Sequence, residues 1–189
     1  MILETKRLYL RPFTVGDEEA VLNILGDEEV NEFLPMFSLK NIDEARKYLT
    51  ENMIGGDKIV FAVCMKEKDE PIGYIHISCD EAHDLGYGMR RDFWHKGIMS
   101  EAADAVVKYA KKQNIPYLTA THDVNNPHSG GVMKNIGMQY QYTYEELWQP
   151  KNFRVFFRMY QLNFKDKNFI FRKYWDKYPV HFIEKNEEI

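Results

Sequence analysis

A strand, a short basic turn and a long amphipathic helix follow one another in residues 85–113, and this order constrains the chain more than any other segment. The sequence there reads LGYGMRRDFWHKGIMSEAADAVVKYAKKQ, with Gly97 inside the turn and a helix predicted to begin at Ser100. Where a strand runs through such a turn into a helix, several backbone N–H groups and the positive end of the helix dipole point to one place. Phosphate and pyrophosphate groups bind at such places, so the segment predicts an anion-binding site.

The composition is that of one globular domain. The chain has 189 residues, of which 44% are apolar and 29% charged, and this is enough to bury a core. No apolar run approaches the roughly 20 residues of a membrane span, and no charged-then-apolar leader precedes Leu3, so the expected location is cytoplasmic, with no membrane partner. The net charge of −4 argues against a nucleic-acid partner.

The spacing of apolar residues predicts the order strand, two helices, three strands, helix, strand, helix and two strands. The helix after Ser100 carries Ala102, Val106 and Ala110 on one side. The next strand, at residues 117–122, therefore follows a crossover, which indicates a parallel neighbour for the strand at residues 83–89. This order predicts the α/β class with one central mixed sheet.

Two motifs within this order resemble a known enzyme family. The turn WHKGIMSEA at residues 94–102 and the segment NPHSGGVMKNIGM at residues 126–138 resemble those of the GNAT acetyltransferase superfamily, in the branch that contains ribosomal-protein N-terminal acetyltransferases of the RimJ/RimL type. The resemblance implies a single GNAT-like domain over residues 1–164. Such a domain has a central mixed sheet of about seven strands with a splayed parallel pair, flanked by about four helices.

By resemblance, the turn binds the pyrophosphate of acetyl-CoA, which serves as co-substrate. The family pattern is Gln/Arg-x-x-Gly-x-Gly/Ala; here Gly97 matches strictly, whereas Met99 occupies a slot for small residues. Backbone N–H groups make most of the contacts, and any residue except proline supplies one. Arg91 and Lys96 are expected to add positive charge. The expected donor-binding residues are Met89, Arg91, Trp94, His95, Lys96, Gly97, Ile98, Met99, Ser100 and Asn126.

The second motif has implied roles beside the thioester. By resemblance, Asn126 lies next to the pantetheine arm and Ser129 lies near the sulfur, where it is our candidate to donate a proton or a hydrogen bond to the leaving thiolate. The family often places an acidic tyrosine four residues later, but this chain has Met133 there. A structural interpretation is equally open, because Ser129 also suits the N-cap of a short helix at residues 132–136.

The attacking amine must be neutral, so a base or a water relay is needed. The resemblance places bases on the strand before the turn, where Asp84 is the first candidate and His83 the second, since only one of two neighbours faces a cleft. Glu145 and Glu146, late in the penultimate strand, are further candidates. The same resemblance implies that the backbone N–H near Met89 polarises the acetyl carbonyl.

No metal site is predicted. His76, His122 and His128 do not share a helix at ligand spacing, and no cysteine joins them. The predicted chemistry therefore uses no metal.

The extension at residues 165–189 lies outside the resemblance. It holds too many aromatic residues for a solvated tail. We expect it to pack on its own domain; a partner subunit and the acceptor pocket are the alternatives.

These patterns predict an acetyl-CoA-dependent N-acetyltransferase in which a primary amine attacks the acetyl group directly. The acceptor is a protein N-terminus or a small amine, and the acidic residues Asp80, Glu81 and Asp84 fit a cationic acceptor. One alternative is a catalytically silent acyl-CoA-binding or regulatory module of the same fold. Another is an enzyme that uses the turn for a nucleotide. Both a monomer and a homodimer fit these patterns.

Overall fold

The first half of the chain forms a five-stranded sheet in the computed structural model, which describes residues 1–185. All neighbouring strands of this sheet run antiparallel and lie in chain order. The strands are β1 (Leu3–Glu4), β2 (Leu8–Arg11), β3 (Lys58–Met65), β4 (Pro71–Ser78) and β5 (Leu85–Met89).

The second half forms a four-stranded antiparallel sheet. Its strands are β6 (Tyr117–Asp123), β7 (Gln139–Trp148), β8 (Phe153–Asn163) and β9 (His181–Phe182). They lie in the order β6-β8-β7-β9, so β6 is the edge strand that faces the first sheet.

Six α-helices connect and cover the strands in the described part of the chain. They are α1 (Glu18–Leu25), α2 (Glu28–Asn31), α3 (Ile42–Tyr48), α4 (Ile98–Lys112), α5 (Pro127–Asn135) and α6 (Lys173–Lys177). A π-helical segment, Leu49–Ile54, continues α3, and a 3-10 turn, Arg91–Phe93, precedes α4. Within residues 1–185, no helix is both long and apolar enough to cross a membrane.

The two sheets touch where β5 and β6 begin and separate beyond that point. Within residues 1–185, one parallel bridge joins them, between Asp84 and Thr119. The Thr119 N–H donates there to the His83 carbonyl at 3.4 Å. Beyond the bridge the strands diverge and leave a gap between the two sheets. The α/β class and the splayed parallel pair of the prediction are thus confirmed.

The element counts differ from the prediction for a physical reason. Within residues 1–185, nine strands in two sheets replace about seven in one, because β5 and β6 lose their pairing after one bridge and because β1 and β9 have only two residues each. The same residues form six α-helices where about four were predicted. The short helices α2 and α6, of four and five residues, cannot show a helical period in sequence.

Two apolar cores hold the first sheet between helices. On one face, α4 buries Ala102, Val106 and Ala110 against the sheet, as their spacing predicted. On the other face, α1 and α3 bury residues such as Val21 and Ala45. The first sheet, which ends at β5 beside the gap, is therefore covered on both faces.

The C-terminal segment, residues 165–185, lies against the second sheet. Strand β9 pairs with β7, with His181 opposite Tyr144. Trp175 of α6 packs edge-on against Tyr142 of β7, with ring centroids 5.4 Å apart. Residues 186–189 of the predicted extension lie outside the described residues.

Candidate active site

A cavity of about 910 Å³ opens where β5 and β6 diverge. One side is formed by the turn before α4 and the start of α5, and the other by α2, β4, β7 and α6. Most of the sequence-predicted site residues line it: Asp84, Met89, Trp94, His95, Gly97, Ile98, Met99, Ser100, Asn126 and Ser129. The fold thus gathers residues from both motifs and from the preceding strand in one cleft.

The backbone of β5 directs polar groups into this cleft. The Ser78 N–H donates to the Asp84 carbonyl and the Arg90 N–H donates to the Ile72 carbonyl, both at 2.9 Å. Even-numbered residues of β5 therefore bond to β4, and the N–H groups of the odd-numbered residues point towards β6. The N–H of Met89 faces the gap for this reason. Its carbonyl accepts a hydrogen bond from Trp94 Nε1 at 2.8 Å.

The turn before α4 depends on Gly97. This residue has φ of +67° and caps the helix, which begins at Ile98 rather than at Ser100. A left-handed backbone strains residues with a side chain, so glycine suits this position. Met99, the departure from the family pattern, packs in the core and is 5% exposed. Met99 thus contributes to the core as well as to the wall of the cavity.

An ion pair that was not predicted braces the turn from outside. Arg7 Nη1 donates to the Lys96 carbonyl at 2.9 Å, and Arg7 Nε donates to Glu101 Oε2 at 2.7 Å. Glu101 also accepts from the Thr5 hydroxyl at 2.6 Å. Burial opposes ionisation of Glu101, but the hydrogen bonds from Thr5 and Arg7 prevail and lower its pKa to about 2. Residues 94 positions apart carry no sequence signal of such a contact.

Two basic side chains of the prediction are placed elsewhere. Arg91 pairs with Asp27 and Glu29 near α2. Lys96 donates to the Asp92 carbonyl at 2.8 Å and lies over the Phe93 ring. Neither side chain lines the cavity, because each already has partners on the outer surface. His95 does line it, and its ring meets that of His128 edge-on at 4.5 Å.

Ser129 meets a tyrosine that the sequence did not single out. Asn126 Oδ1 accepts from the Ser129 N–H at 3.3 Å, so Asn126 is the cap of α5. The expectation that Ser129 caps a helix at residues 132–136 is wrong, because α5 already begins at Pro127. The Ser129 hydroxyl donates to Tyr87 Oη at 3.2 Å, and Tyr87 Oη donates to the Ser129 carbonyl at 2.8 Å. Burial raises the pKa of Tyr87.

Asp84 is the carboxylate at the point of divergence. Its Oδ1 is buried and finds no hydrogen-bond partner in the described part of the chain. Burial raises the pKa of Asp84 from 3.8 to about 7, although Lys58 opposes the shift. The alternative base, His83, has φ of 46° and packs against the Tyr117 ring at 5.3 Å. Of these neighbours, only Asp84 lines the cavity.

The two glutamates of β7 point in opposite directions. Glu145 pairs with Arg154 at 2.6 Å and does not line the cleft, whereas Glu146 does. Side chains alternate along a strand, so Glu146 shares the cleft side with Tyr144 and Trp148. The structure therefore separates Glu145 from the other predicted site residues.

Two side chains of β4, Tyr74 and His76, lie over the face of β5 that carries Gly86 and Gly88. The two glycines have no side chains and so make room for these rings. A Cβ atom on Gly86 would lie 2.3 Å from the His76 ring, and one on Gly88 would lie 2.6 Å from the Tyr74 ring. The two rings are stacked, with centroids 6.2 Å apart. Burial, and next Lys58, lower the pKa of His76 to about 3, so this imidazole is neutral near pH 7. The sequence contained a signal for this packing, because LGYGM at residues 85–89 places glycine at every second position and so leaves one face of the strand without side chains.

Metal-binding side chains do not converge in the described residues. Within residues 1–185, no group of three or more His, Cys, Asp or Glu side chains is placed to hold an ion.

The sequence matches a known family over most of its length. The model of the acetyltransferase (GNAT) domain matches residues 7–139. A Bacillus subtilis (strain 168) protein, uncharacterized N-acetyltransferase YnaD, is 30% identical over 143 residues, which cover 74% of this chain and 83% of that protein. The chain belongs to the GNAT acetyltransferase family and is an acyltransferase by class.

Solved structures share the fold. An acetyltransferase (GNAT family) from Bacillus anthracis superposes with a TM-score of 0.77 and 26% identity, covering 86% of this chain and 98% of that one. RimL, a ribosomal alpha-N-protein acetyltransferase in complex with coenzyme A, gives a TM-score of 0.74 at 18% identity, covering 86% and 98% of the two chains. The latter likeness is one of fold alone.

Proposed function

We propose that this protein transfers the acetyl group of acetyl-CoA to a primary amine by direct attack. The observation that carries the proposal is the buried, unpartnered Oδ1 of Asp84 in the same cleft as the Met89 N–H and the turn before α4. A base, a carbonyl-polarising donor and an anion-binding turn are the parts that this reaction needs.

The donor side fits acetyl-CoA. The first turn of α4, a helix of 15 residues, presents backbone N–H groups at its N-terminus beside Gly97, which suits a pyrophosphate. The gap between β5 and β6 leaves the Met89 N–H directed at the space between the strands, where a thioester carbonyl is expected to accept its hydrogen bond.

The chemistry begins with loss of a proton from the acceptor. Asp84 takes this proton, directly or through a water molecule, and the nitrogen lone pair then attacks the carbonyl carbon. The carbonyl oxygen becomes negative and is stabilised by the Met89 N–H. The nitrogen, now positively charged, loses its extra proton to water, the C–S bond breaks, and the neutral amide and a thiolate form.

The thiolate leaves beside Ser129 and Tyr87. The Ser129 hydroxyl donates to Tyr87 Oη at 3.2 Å, and by rotating away from this partner it offers the same proton to the sulfur. Burial makes the Tyr87 phenol a weaker acid. A hydrogen bond to the thiolate is therefore the role that we assign to this pair, with the proton arriving from water.

Both classes of acceptor remain within the proposal. A protein N-terminus is suggested by the name of RimL, which shares the fold, and a small amine is suggested by the acidic lining at Asp84 and Glu146. A primary amine is common to both.

Calorimetric titration with acetyl-CoA, followed by a thiol-release assay on a panel of amines, tests the proposal. We expect binding and release of one thiol for each amide formed. Binding without release on any amine would indicate a silent acyl-CoA-binding module. Stronger thermal stabilisation by adenosine nucleotides than by acetyl-CoA at equal concentration would indicate a nucleotide enzyme.

A further inference from the structure

The C-terminal segment, residues 165–185, supplies part of the cavity wall. Tyr174, Lys177 and Tyr178 of this segment line the cavity together with Tyr144 of β7. The family model ends at residue 139, so these side chains lie beyond the part of the chain that defines the family.

Three tyrosines form one stack, which we call the tyrosine wall: Tyr144, Tyr174 and Tyr178. The centroids of Tyr144 and Tyr174 are 5.1 Å apart with an interplanar angle of 21°, and those of Tyr144 and Tyr178 are 5.0 Å apart with an angle of 12°. Stacked rings at this spacing stabilise one another and present a stiff apolar surface.

Hydrogen bonds to backbone carbonyl groups hold the wall in place. The Glu145 N–H donates to the Val180 carbonyl at 2.9 Å, and the Tyr142 hydroxyl donates to the Phe171 carbonyl at 2.8 Å. These bonds tie the segment to β7 on both sides of α6. The wall is thus part of the folded domain.

The wall stands beside carboxylates. Asp84 and Tyr174 line the same cavity, and burial, and next the negative charge of Asp84, raise the pKa of Tyr174. Glu146 lines the same cavity. The cations there, Lys58 and Lys177, are exposed, and Lys177 Nζ donates to Tyr178 Oη at 2.9 Å. Within residues 1–185, Asp84 Oδ1 finds no hydrogen-bond partner, so this atom is available to a ligand.

This combination of groups selects the acceptor. An amine is held by a carboxylate, and its carbon skeleton gains free energy when it leaves water for an aromatic surface. A peptide also brings backbone N–H and C=O groups, which lose hydrogen bonds to water against such a surface. The wall therefore favours an amine with a compact apolar body over a peptide.

We propose that the C-terminal segment completes the acceptor pocket, and that the acceptor is a compact primary amine whose nitrogen lies at Asp84 and whose apolar body packs on the tyrosine wall. This proposal rests on the proposed acetyl transfer. It assigns the segment a role in substrate selection.

Steady-state thiol release tests the proposal in the full-length protein, with 2-phenylethylamine, spermidine and a peptide with a free N-terminal serine as acceptors. We expect the highest kcat/KM for 2-phenylethylamine. Tyr174→Ala and Tyr178→Ala are each expected to raise its KM by about tenfold or more, while acetyl-CoA affinity stays within about twofold of the wild type.

Trp175→Ala is the matched control, because Trp175 lies on the same helix but packs on Tyr142 and His181. We expect its KM for 2-phenylethylamine to stay within about twofold of the wild type. If the thermal transition shows that Tyr174→Ala does not fold, the KM values of Tyr178→Ala and Tyr174→Phe for 2-phenylethylamine test the proposal instead. Tyr178→Ala is expected to raise this KM, and Tyr174→Phe, which keeps the ring, is expected to retain the wild-type KM.

The outcomes separate the two proposals. If the wild type binds no acetyl-CoA or acetylates no amine, acetyl transfer itself fails. If the wild type prefers the peptide or spermidine, or if the tyrosine variants and Trp175→Ala raise KM equally, acetyl transfer stands and the proposed acceptor pocket is wrong.

Discussion

Ser129 and Tyr87 are joined by two hydrogen bonds across the cleft. The Ser129 hydroxyl donates to Tyr87 Oη at 3.2 Å, and Tyr87 Oη donates to the Ser129 carbonyl at 2.8 Å. The pair connects the first turn of α5 to the middle of β5. The second motif is thereby hydrogen-bonded to the strand that precedes the turn. The family's tyrosine position holds Met133, which is 1% exposed, and the phenol reaches Ser129 from β5 instead.

Ser129→Ala is expected to lower kcat by about tenfold or more and to change acetyl-CoA affinity by less than about threefold, because its hydrogen bond strengthens as the thiolate forms. Tyr87→Phe removes the partner hydroxyl and is expected to act in the same direction. Single-turnover thiol release and calorimetric titration separate the two effects. Tyr117→Phe, which loses a hydroxyl bonded to the Glu81 carbonyl outside the cleft, is the control; an equal loss of kcat there would remove the Ser129–Tyr87 pair from the mechanism.

The pH dependence of the reaction is expected to follow Asp84. A base must be ionised to accept a proton, and the pKa of this group is about 7. In the wild type, kcat/KM for an amine should therefore fall about tenfold per pH unit below pH 7 and level off above it, once corrected for ionisation of the amine itself. Asp84→Asn should lower kcat/KM by about a hundredfold or more and abolish the fall of kcat/KM below pH 7. If this fall persists in the variant, a residue other than Asp84 is the base.

Asp84→Asn is also expected to stabilise the fold at alkaline pH. The pKa of Asp84 in the folded protein, about 7, lies above its ordinary value of 3.8. The folded state thus binds this proton more tightly, and stability falls as the pH rises between these two values. Removing the buried charge should raise the free energy of unfolding at pH 8, by at most about 4 kcal/mol. Urea unfolding at pH 3 and pH 8 measures the difference, which should vanish at pH 3.

Glu101→Gln is expected to weaken acetyl-CoA binding without touching the cleft. Glu101 holds Arg7, which in turn donates to the Lys96 carbonyl in the turn. Loss of the charged hydrogen bonds should cost about 1.5–3 kcal/mol of stability above pH 5. Because the pKa of Glu101 is about 2 when folded and 4.5 ordinarily, this contribution disappears as the pH falls from 4.5 towards 2.

Asp104→Asn on the same helix is the control for this variant. Asp104 pairs with Lys108 at the exposed surface, and such a pair contributes about 0.5 kcal/mol. Calorimetric titration with acetyl-CoA and urea unfolding at pH 7 compare the two variants. Equal affinities for acetyl-CoA in both variants would show that the Arg7–Glu101 ion pair does not support the turn.

Gly88→Ala is expected to be destabilising by about 1–3 kcal/mol, since its Cβ would lie 2.6 Å from the Tyr74 ring. The same change at Gly131, where a Cβ meets nothing within 4 Å, should be tolerated. Combining Gly88→Ala with Tyr74→Ala should cost less than the sum of the single changes, because the clash is relieved. Thermal unfolding of the four variants measures this coupling, and strict additivity would contradict the proposed contact.

The two glutamates of β7 should differ in function. Glu146→Gln is expected to raise the KM for a cationic amine by about threefold or more, because Glu146 lines the cleft. Glu145→Gln is expected to leave KM within about twofold, because Glu145 pairs with Arg154 outside it. Steady-state assays at low ionic strength compare them. The reverse ranking would show that β7 presents its other face to the acceptor.

The sequence by itself determined the class of the fold and the strand–turn–helix at residues 85–113, and most of the site residues predicted from it line the cleft. These features are local: the position of Gly97, the apolar spacing of Ala102, Val106 and Ala110, and the order of strands and helices follow from neighbours in the chain. The resemblance of two short motifs then related them to one family, which the match over residues 7–139 confirms.

Only the tertiary structure decided which side chains share the cleft. The direction of a strand side chain depends on register, so Asp84 and Glu146 enter the cavity while His83 and Glu145 do not. Contacts between distant segments could not be predicted from the sequence either, because residues far apart in the chain become neighbours only when it folds. Arg7 with Glu101, Tyr87 with Ser129, and Tyr144 with Tyr174 are such pairs, and they shape the cleft and the turn beside it.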